Sequence, residues 1–201
     1  MGKIEWNKKQ KNTTLLQTAF ELFTEKGFAK TTISDIVNRA GLAKGTFYLY
    51  FKDKYDLRNQ LVIHKTGQLF FKAHSSLSEK DIHGFENKML FVVDFIVEQL
   101  KNNPALLKFI SKNLSWGIFK HAIENTMTEE SQRFYEYYLE QMEKDHIICQ
   151  QPDIVLFTII ELVGSTCHSC ILYEEPVSMD EYLPYLHQVI HQILSAFTTS
   201  E

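Results

Sequence analysis

The sequence is poor in cysteine, proline and glycine, and this shortage excludes several classes of protein. Its 201 residues include three Cys, four Pro and eight Gly. Three scattered cysteines cannot form the disulfide framework of a small secreted domain, and so few Pro and Gly disfavour a fold rich in turns and short strands. No apolar run approaches the roughly 20 residues that cross a bilayer, and the first residues lack a signal-peptide stretch. We therefore expect a helical, cytoplasmic protein without a membrane segment.

Charge is unevenly distributed along the chain. The net charge is −4, but residues 1–60 hold eleven Lys and Arg against six Asp and Glu, whereas residues 61–201 hold ten against nineteen. A basic segment joined to an acidic remainder indicates that any surface for a polyanion lies near the N-terminus. Uneven solvation charge would give the same pattern, so charge alone does not decide between them.

Apolar residues recur at helical spacing along most of the chain. Leu16, Ala19, Phe20 and Phe23 follow the i, i+3, i+4, i+7 pattern within a predicted helix at about 10–26. The same pattern predicts helices at about 33–40, 44–50, 53–73, 82–101, 104–112, 114–123, 127–147, 152–173 and 179–197. We expect an all-α fold of about nine or ten helices without a sheet. A three-helix domain at 1–52 would precede a helical domain at 53–201.

The second and third predicted helices form a candidate helix-turn-helix at about residues 32–51. Thr32 and Asp35 have capping-box spacing at the start of the second helix, and Gly41 permits the positive φ of a tight turn. Leu42 and Phe47 would fix the angle between the helices. The outer face then carries small, basic and aromatic residues that suit base edges and phosphates, although a solvated helical hairpin is the alternative. The predicted DNA-binding residues are Thr31, Thr32, Lys44, Gly45, Thr46, Tyr48, Tyr50 and Lys54.

Four segments of this region resemble the TetR family of bacterial transcriptional regulators. They are residues 19–23 (AFELF), 26–28 (KGF), 31–37 (TTISDIV) and 40–54 (AGLAKGTFYLYFKDK), followed by Leu57. The resemblance covers about a quarter of the chain and implies a homodimeric repressor. Each subunit would have a three-helix DNA-binding domain and a helical domain for an inducer. Lys44, Thr46, Tyr48, Tyr50 and the threonine that starts the second helix are similar to the family's DNA-contact positions.

Two C-terminal segments, 152–173 and 179–197, are the candidate interface of the homodimer. Their apolar faces exceed what one small domain can cover, and Gly164, Ser165 and Ser169 would let helices approach closely. Two such helices from each subunit would form a four-helix interface. The alternative is that both segments are ordinary core helices.

Aromatic residues between the long fourth helix and about residue 150 are the candidate ligand-binding residues. Aromatic-lined cavities favour planar or hydrophobic ligands. The alternative for each of these residues is that its side chain packs in the protein core. The predicted liners are Phe91, Phe95, Trp116, Phe119, Phe134 and Tyr138.

Two pairs of possible metal ligands do not complete a site. Cys167 and Cys170 are spaced i, i+3, and His187 and His191 are spaced i, i+4, but no further ligands converge in sequence. We therefore predict no metal and no cofactor, and we expect the cysteines to be structural. Sensing by either pair stays open as an alternative.

No motif of a catalytic centre is present, because the sequence lacks a Gly-rich phosphate loop, a nucleophile elbow and a metalloprotease motif. We therefore predict a sequence-specific DNA-binding regulator that is not an enzyme. It would be a homodimeric repressor released from its operator by a small hydrophobic or aromatic effector. The alternatives are control by a protein partner, without a small inducer, or activation instead of repression.

Overall fold

The computed structural model describes residues 3–113 and 129–200, and most of them are helical. The nine helices in this part of the chain are α1 (Lys3–Lys26), α2 (Ile33–Arg39), α3 (Lys44–Tyr48), α4 (Lys54–Ser78), α5 (Phe85–Lys101), α6 (Pro104–Asn113), α7 (Glu129–Lys144), α8 (Pro152–Leu172) and α9 (Met179–Phe197). The all-α prediction is confirmed. The predicted piece at 114–123 lies outside the described residues.

A two-stranded sheet corrects the prediction that no sheet is present. β1 (Ile147–Cys149) pairs antiparallel with β2 (Thr198–Ser200), and Ile148 lies opposite Thr199. Strands of three residues are too short to show a period of two. The two strands are also far apart in the sequence, so their pairing leaves no local signal.

The first helix is longer than its apolar pattern predicts. It begins at Lys3 instead of about residue 10, and from Trp6 onward its first buried side chain is that of Leu15. The side chains from Trp6 to Lys11 are exposed. Amphipathic periodicity reports only helix that packs on a core, so it cannot detect a solvated extension of this kind.

The chain divides into two compact units, Met1–Val62 and Ile63–Glu201, with the division inside α4. In the first unit, α2 packs between α1 and α3. Its fully buried side chains come from all three helices and from the start of α4. They include Leu15, Ala19, Ile36, Phe47, Phe51, Leu57 and Leu61.

The second unit is built on contacts of α8 with α5, α6 and α9. Each of these helices contributes a regular buried stripe, and that of α9 consists of Met179, Leu186, Ile190 and Leu194. A row of polar side-chain pairs also joins α9 to α5. Its members are Asp180 with Lys101 at 2.6 Å, His187 with Asp94 at 2.6 Å and His191 with Glu86 at 2.8 Å. The two histidines therefore pair with separate carboxylates of another helix.

Helix α8 qualifies as a membrane span by length and composition alone, whereas the sequence analysis expected no such segment. An 18-residue window of this 21-residue helix has a mean hydropathy of 1.8, and 33% of that window is buried within the chain. Core helices of soluble proteins have the same composition. The sequence analysis missed it because Glu161 and His168 interrupt the apolar run, although they do not lower the mean hydropathy enough to exclude it.

Cys167 and Cys170 lie on the buried side of α8. Burial raises the pKa of Cys167 to about 12 and also raises the pKa of Cys170, whose Sγ donates to the carbonyl of Glu175. Redox sensing and metal binding need the thiolate, and burial disfavours that form at both positions. The described residues contain no group of three or more His, Cys, Asp or Glu that could hold a metal ion.

We expect the two α8 thiols to resist alkylation in the native protein. Half-buried Cys149 should react first with a thiol reagent, and all three cysteines should react after denaturation. Raising the pH from about 7 to about 9 should not expose Cys167 to reaction, because its thiol stays protonated. Mass spectrometry of labelled peptides measures this, and rapid labelling of Cys167 in the native state would contradict the structural role.

Candidate nucleic-acid interface and the cavity of the second unit

The turn between α1 and α2 is held by a buried threonine. The side chain of Thr31 is fully buried, and its hydroxyl donates to the carbonyls of Gly27 at 2.9 Å and Leu22 at 3.3 Å. Gly27 adopts a φ of 85°, which ends α1 in the left-handed conformation that glycine tolerates. Thr31 was predicted to bind DNA, but its hydroxyl is turned into the protein. We therefore assign it a structural role.

The start of α2 has the capping box that the sequence predicts. The amide of Asp35 donates to Thr32 Oγ1 at 3.1 Å, and the amide of Thr32 donates to Asp35 Oδ2 at 2.8 Å. Lys26 also pairs with Asp35 at 2.8 Å, and this bond together with the two from Thr32 holds the pKa of the carboxyl well below its usual range. The exposed side chain of Thr32 therefore stands at a fixed helix start.

The outer surface of α3 carries most of the predicted contact residues. Lys44 and Gly45 are exposed, and a Cβ at Gly45 would meet nothing within 4 Å. Tyr48 is 53% exposed, and Thr46 and Tyr50 are half-buried beside it. Leu49, outside the predicted set, is 76% exposed. We call these six residues the α3 face.

Buried aromatic rings support the α3 face from below. Phe47 is fully buried and Phe51 nearly so, and their ring centroids lie 5.4 Å apart. Tyr48 packs edge-on against Phe47 at 5.3 Å. The spacing of Phe47 and Phe51 in sequence predicted this arrangement, in which one side of a short helix is anchored and the other is free to meet a partner.

Lys54 has a different role from the predicted one. Its Nζ donates to the carbonyls of Phe28 and Thr31, both at 2.8 Å, and lies 4.3 Å from the centre of the Phe28 ring. Lys54 thus joins the α1–α2 turn to the first turn of α4. We replace the DNA-contact prediction for this residue with a structural role, which no local sequence signal could have shown because the acceptors lie more than 20 residues away.

Residues 15–61 match the family model of the bacterial regulatory proteins of the tetR family. This segment of the chain belongs to the TetR family. This match covers α2, α3 and the parts of α1 and α4 that pack on them, so the first unit is a TetR-type helix-turn-helix DNA-binding domain.

Curated relatives are similar over the same region. The chain is 45% identical over 64 residues to the uncharacterized HTH-type transcriptional regulator YvdT of Bacillus subtilis, an alignment that covers 30% of this chain and 33% of that protein. It is 36% identical over 73 residues to the fatty acid metabolism regulator protein of Bacillus subtilis, which covers 36% and 38%. The chain thus matches little more than a third of the length of these TetR-type relatives.

The TetR fold extends over nearly the whole chain. The structure of the transcriptional regulator FadR from Bacillus subtilis, solved in complex with stearoyl-CoA, superposes with a TM-score of 0.61 at 18% identity. The superposition covers 89% of this chain and 96% of that one. At this identity the likeness establishes the fold and leaves the ligand of this TetR-family protein to be argued from its own residues.

The second unit contains a small cavity of about 70 Å³. We call it the aliphatic cavity, because Leu, Ile, Val and Met form most of its wall. In the part of the chain that the structure describes, its lining comes from five helices: Thr66, Leu69 and Phe70 of α4, Met89, Val92, Val93, Ile96 and Leu100 of α5, Ile110 of α6, Phe134 of α7, and Leu156, Ile159, Ile160, Val163 and Gly164 of α8.

Of the predicted ligand-binding residues, Phe134 lies in the wall of the aliphatic cavity, where it stacks on Phe70 at 4.1 Å. Phe91 and Phe95 are half-buried on α5 and do not line it. Tyr138 is buried elsewhere, with its hydroxyl donating to the carbonyl of Pro152 at 3.2 Å. Trp116 and Phe119 lie outside the described residues. The sequence analysis did not single out Thr66, because one threonine on an apolar helix carries no signal.

Replacing Thr31 by valine should destabilise the DNA-binding domain without touching a DNA contact. Valine keeps the shape and removes both hydrogen bonds, so we expect the free energy of unfolding to fall by about 1–2 kcal/mol. Exposed Thr13→Val is the matched control and should leave stability unchanged. Chemical denaturation followed by circular dichroism measures the free energy of unfolding of both variants. Unchanged stability in Thr31→Val would contradict the structural role and restore the prediction that Thr31 contacts DNA.

Proposed function

We propose that this TetR-family protein is a transcriptional repressor that binds its operator as a homodimer and leaves it when a small apolar effector binds. The observation that carries the proposal is the α3 face, which stands exposed on a rigidly braced helix in a TetR-type domain. In a helix-turn-helix, this second helix lies in the major groove.

The residues of the α3 face have complementary chemistry for DNA. Lys44 supplies a positive charge for phosphate or guanine, and Thr46 supplies a short hydroxyl for base edges. Gly45 permits close approach of the backbone. Tyr48 and Tyr50 can donate hydrogen bonds to phosphate oxygens. Exposed Leu49 suits apolar contact with a thymine methyl group, and Thr32 adds a polar contact at the start of α2.

Exposed apolar side chains on α8 and α9 support the homodimer. Tyr185 is 63% exposed and Val189 is 40% exposed, one turn further along α9, and Ile154 of α8 is 49% exposed. Only a third of the apolar window of α8 is buried within one chain. A second copy would cover these side chains, as in a four-helix dimer interface.

The aliphatic cavity supports control by an effector. Ligand pockets usually exceed about 300 Å³, so a cavity of about 70 Å³ must widen to admit a ligand. Widening displaces the wall residues of α4, and α4 continues into the DNA-binding domain, where Lys54 holds the α1–α2 turn. An effector that favours the widened state therefore shifts the population away from the DNA-binding conformation.

The DNA contact is tested by replacing Lys44 with alanine. The variant should bind less tightly to a DNA fragment selected from a random pool by the wild-type protein. The dependence of log K on log salt should flatten by about one unit per subunit, because one phosphate contact is lost. Lys72→Ala, an exposed lysine of the second unit, is the matched charge control. A salt slope equal to that of wild type would contradict the phosphate contact.

The dimer interface is tested by replacing Tyr185 with glutamate. Burying an unpaired charge in the interface should separate the subunits, and the molar mass in solution should fall by half. Trp6→Glu changes a similarly exposed aromatic residue of the first unit and should leave the mass unchanged. Light scattering coupled to size-exclusion chromatography gives the mass, and a dimer that persists in the Tyr185→Glu variant would exclude this surface.

A further inference from the structure

The aliphatic cavity contains a hydroxyl group without a partner. Thr66 is 5% exposed, lines the cavity, and has no hydrogen bond to its buried Oγ1. Several other threonines within helices place the hydroxyl on the carbonyl four residues earlier, as Thr24, Thr158 and Thr166 do at 2.9, 2.7 and 2.8 Å. Thr66 does not make this bond, although it too lies within a helix.

An unpartnered hydroxyl in such a place is unfavourable for a protein that binds nothing there. Burial of a polar group without a hydrogen bond costs stability, and valine would fill the same volume without that cost. Water is a poor substitute, because a buried water needs two to four polar partners. Among the described residues, the other side chains of the wall are hydrocarbon, apart from the thioether of Met89.

The walls also indicate the shape of a ligand. Apart from Thr66, Met89 and the stacked pair of Phe70 and Phe134, the described side chains of the cavity are aliphatic. The cavity is about half the size of a roughly 150 Å³ cavity that accepts benzene. A flexible hydrocarbon chain can enter between branched side chains with small displacements, whereas a rigid ring needs a flat slot.

We propose that the aliphatic cavity binds an unbranched hydrocarbon chain with a hydrogen-bonding oxygen, and that Thr66 selects this oxygen. Alcohols, carboxylic acids and esters share this chemistry. The inference rests on the proposed function, because it assumes that the aliphatic cavity is the effector site. It goes further in naming the ligand class and the residue that discriminates within it.

Two probes of equal chain length test the selection. In the full-length protein, 1-octanol and 1-chlorooctane are titrated while the methyl resonance of Met89, a wall residue, is followed by NMR. Wild type should bind the alcohol about tenfold more tightly than the chloride, as expected for one hydrogen bond in an apolar site. Thr66→Val should lose the preference and bind the chloride more tightly, because the buried hydroxyl of the alcohol then has no partner. Thr66→Ser should keep the preference for the alcohol.

The unliganded variants give an independent readout. Thr66→Val should raise the melting temperature, because it removes a polar group that has no partner. A lower melting temperature would mean that the hydroxyl already has a partner, and this result would overturn the inference. Equal preference for the alcohol in wild type and Thr66→Val would overturn it as well, as would the absence of any shift at Met89.

Operator binding separates this inference from the proposed function. 1-Octanol could bind with the Thr66-dependent preference and yet leave operator binding unchanged. That result would support the proposed ligand class and contradict release of the operator by an effector. If 1-octanol weakens operator binding, the operator must weaken 1-octanol binding by the same factor. A different compound could release the operator equally well from wild type and from Thr66→Val. That result would support effector-driven release and contradict ligand selection by Thr66.

Discussion

Two hydrogen bonds from one ammonium group hold the DNA-binding domain together at its junction with α4. Lys54 donates to the carbonyls of Phe28 and Thr31, and the Phe28 ring lies beneath the same ammonium. The α1–α2 turn is thereby fixed to the first turn of α4, and the capped start of α2 follows directly from it. The orientation of α3 depends on α2, so the exposure of Lys44 and Tyr48 depends on this junction.

The sequence predicted the parts of this domain that are governed by local rules. The capping box of Thr32 and Asp35, the left-handed Gly27 and the buried spacing of Phe47 and Phe51 all follow from residues within a few positions of one another. The inward hydroxyl of Thr31 did not follow, because threonine suits a cap and a buried turn equally well.

Long-range partners were the other feature beyond prediction. The histidines of α9 have no acidic residue at helical spacing, yet Asp94 and Glu86 of α5 lie opposite them at 2.6 and 2.8 Å. The pairing depends on how α5 packs against α9, and the apolar stripes specify that these helices pack but not which charged residues meet. The sheet of β1 and β2 is missed for the same reason.

The aliphatic cavity is not a feature that aromatic composition could locate. Aromatic residues are frequent in this chain, but Tyr138 packs beside Phe85 and makes its own hydrogen bond, and such rings belong to the core. The space that remains is bounded by side chains too small or too branched to close it. Thr66 lies at that space and breaks the rule that buried polar groups are paired.

A broken rule of this kind tends to mark a functional position, since a residue that only filled space would be replaced by valine at no cost in shape. Thr66 and Lys54 both belong to α4. One helix therefore carries both the unpaired hydroxyl of the cavity and the ammonium that braces the DNA-binding domain. A ligand that pairs with this hydroxyl acts on α4 itself, and the proposed release of the operator requires that its effect reach Lys54 through the same helix.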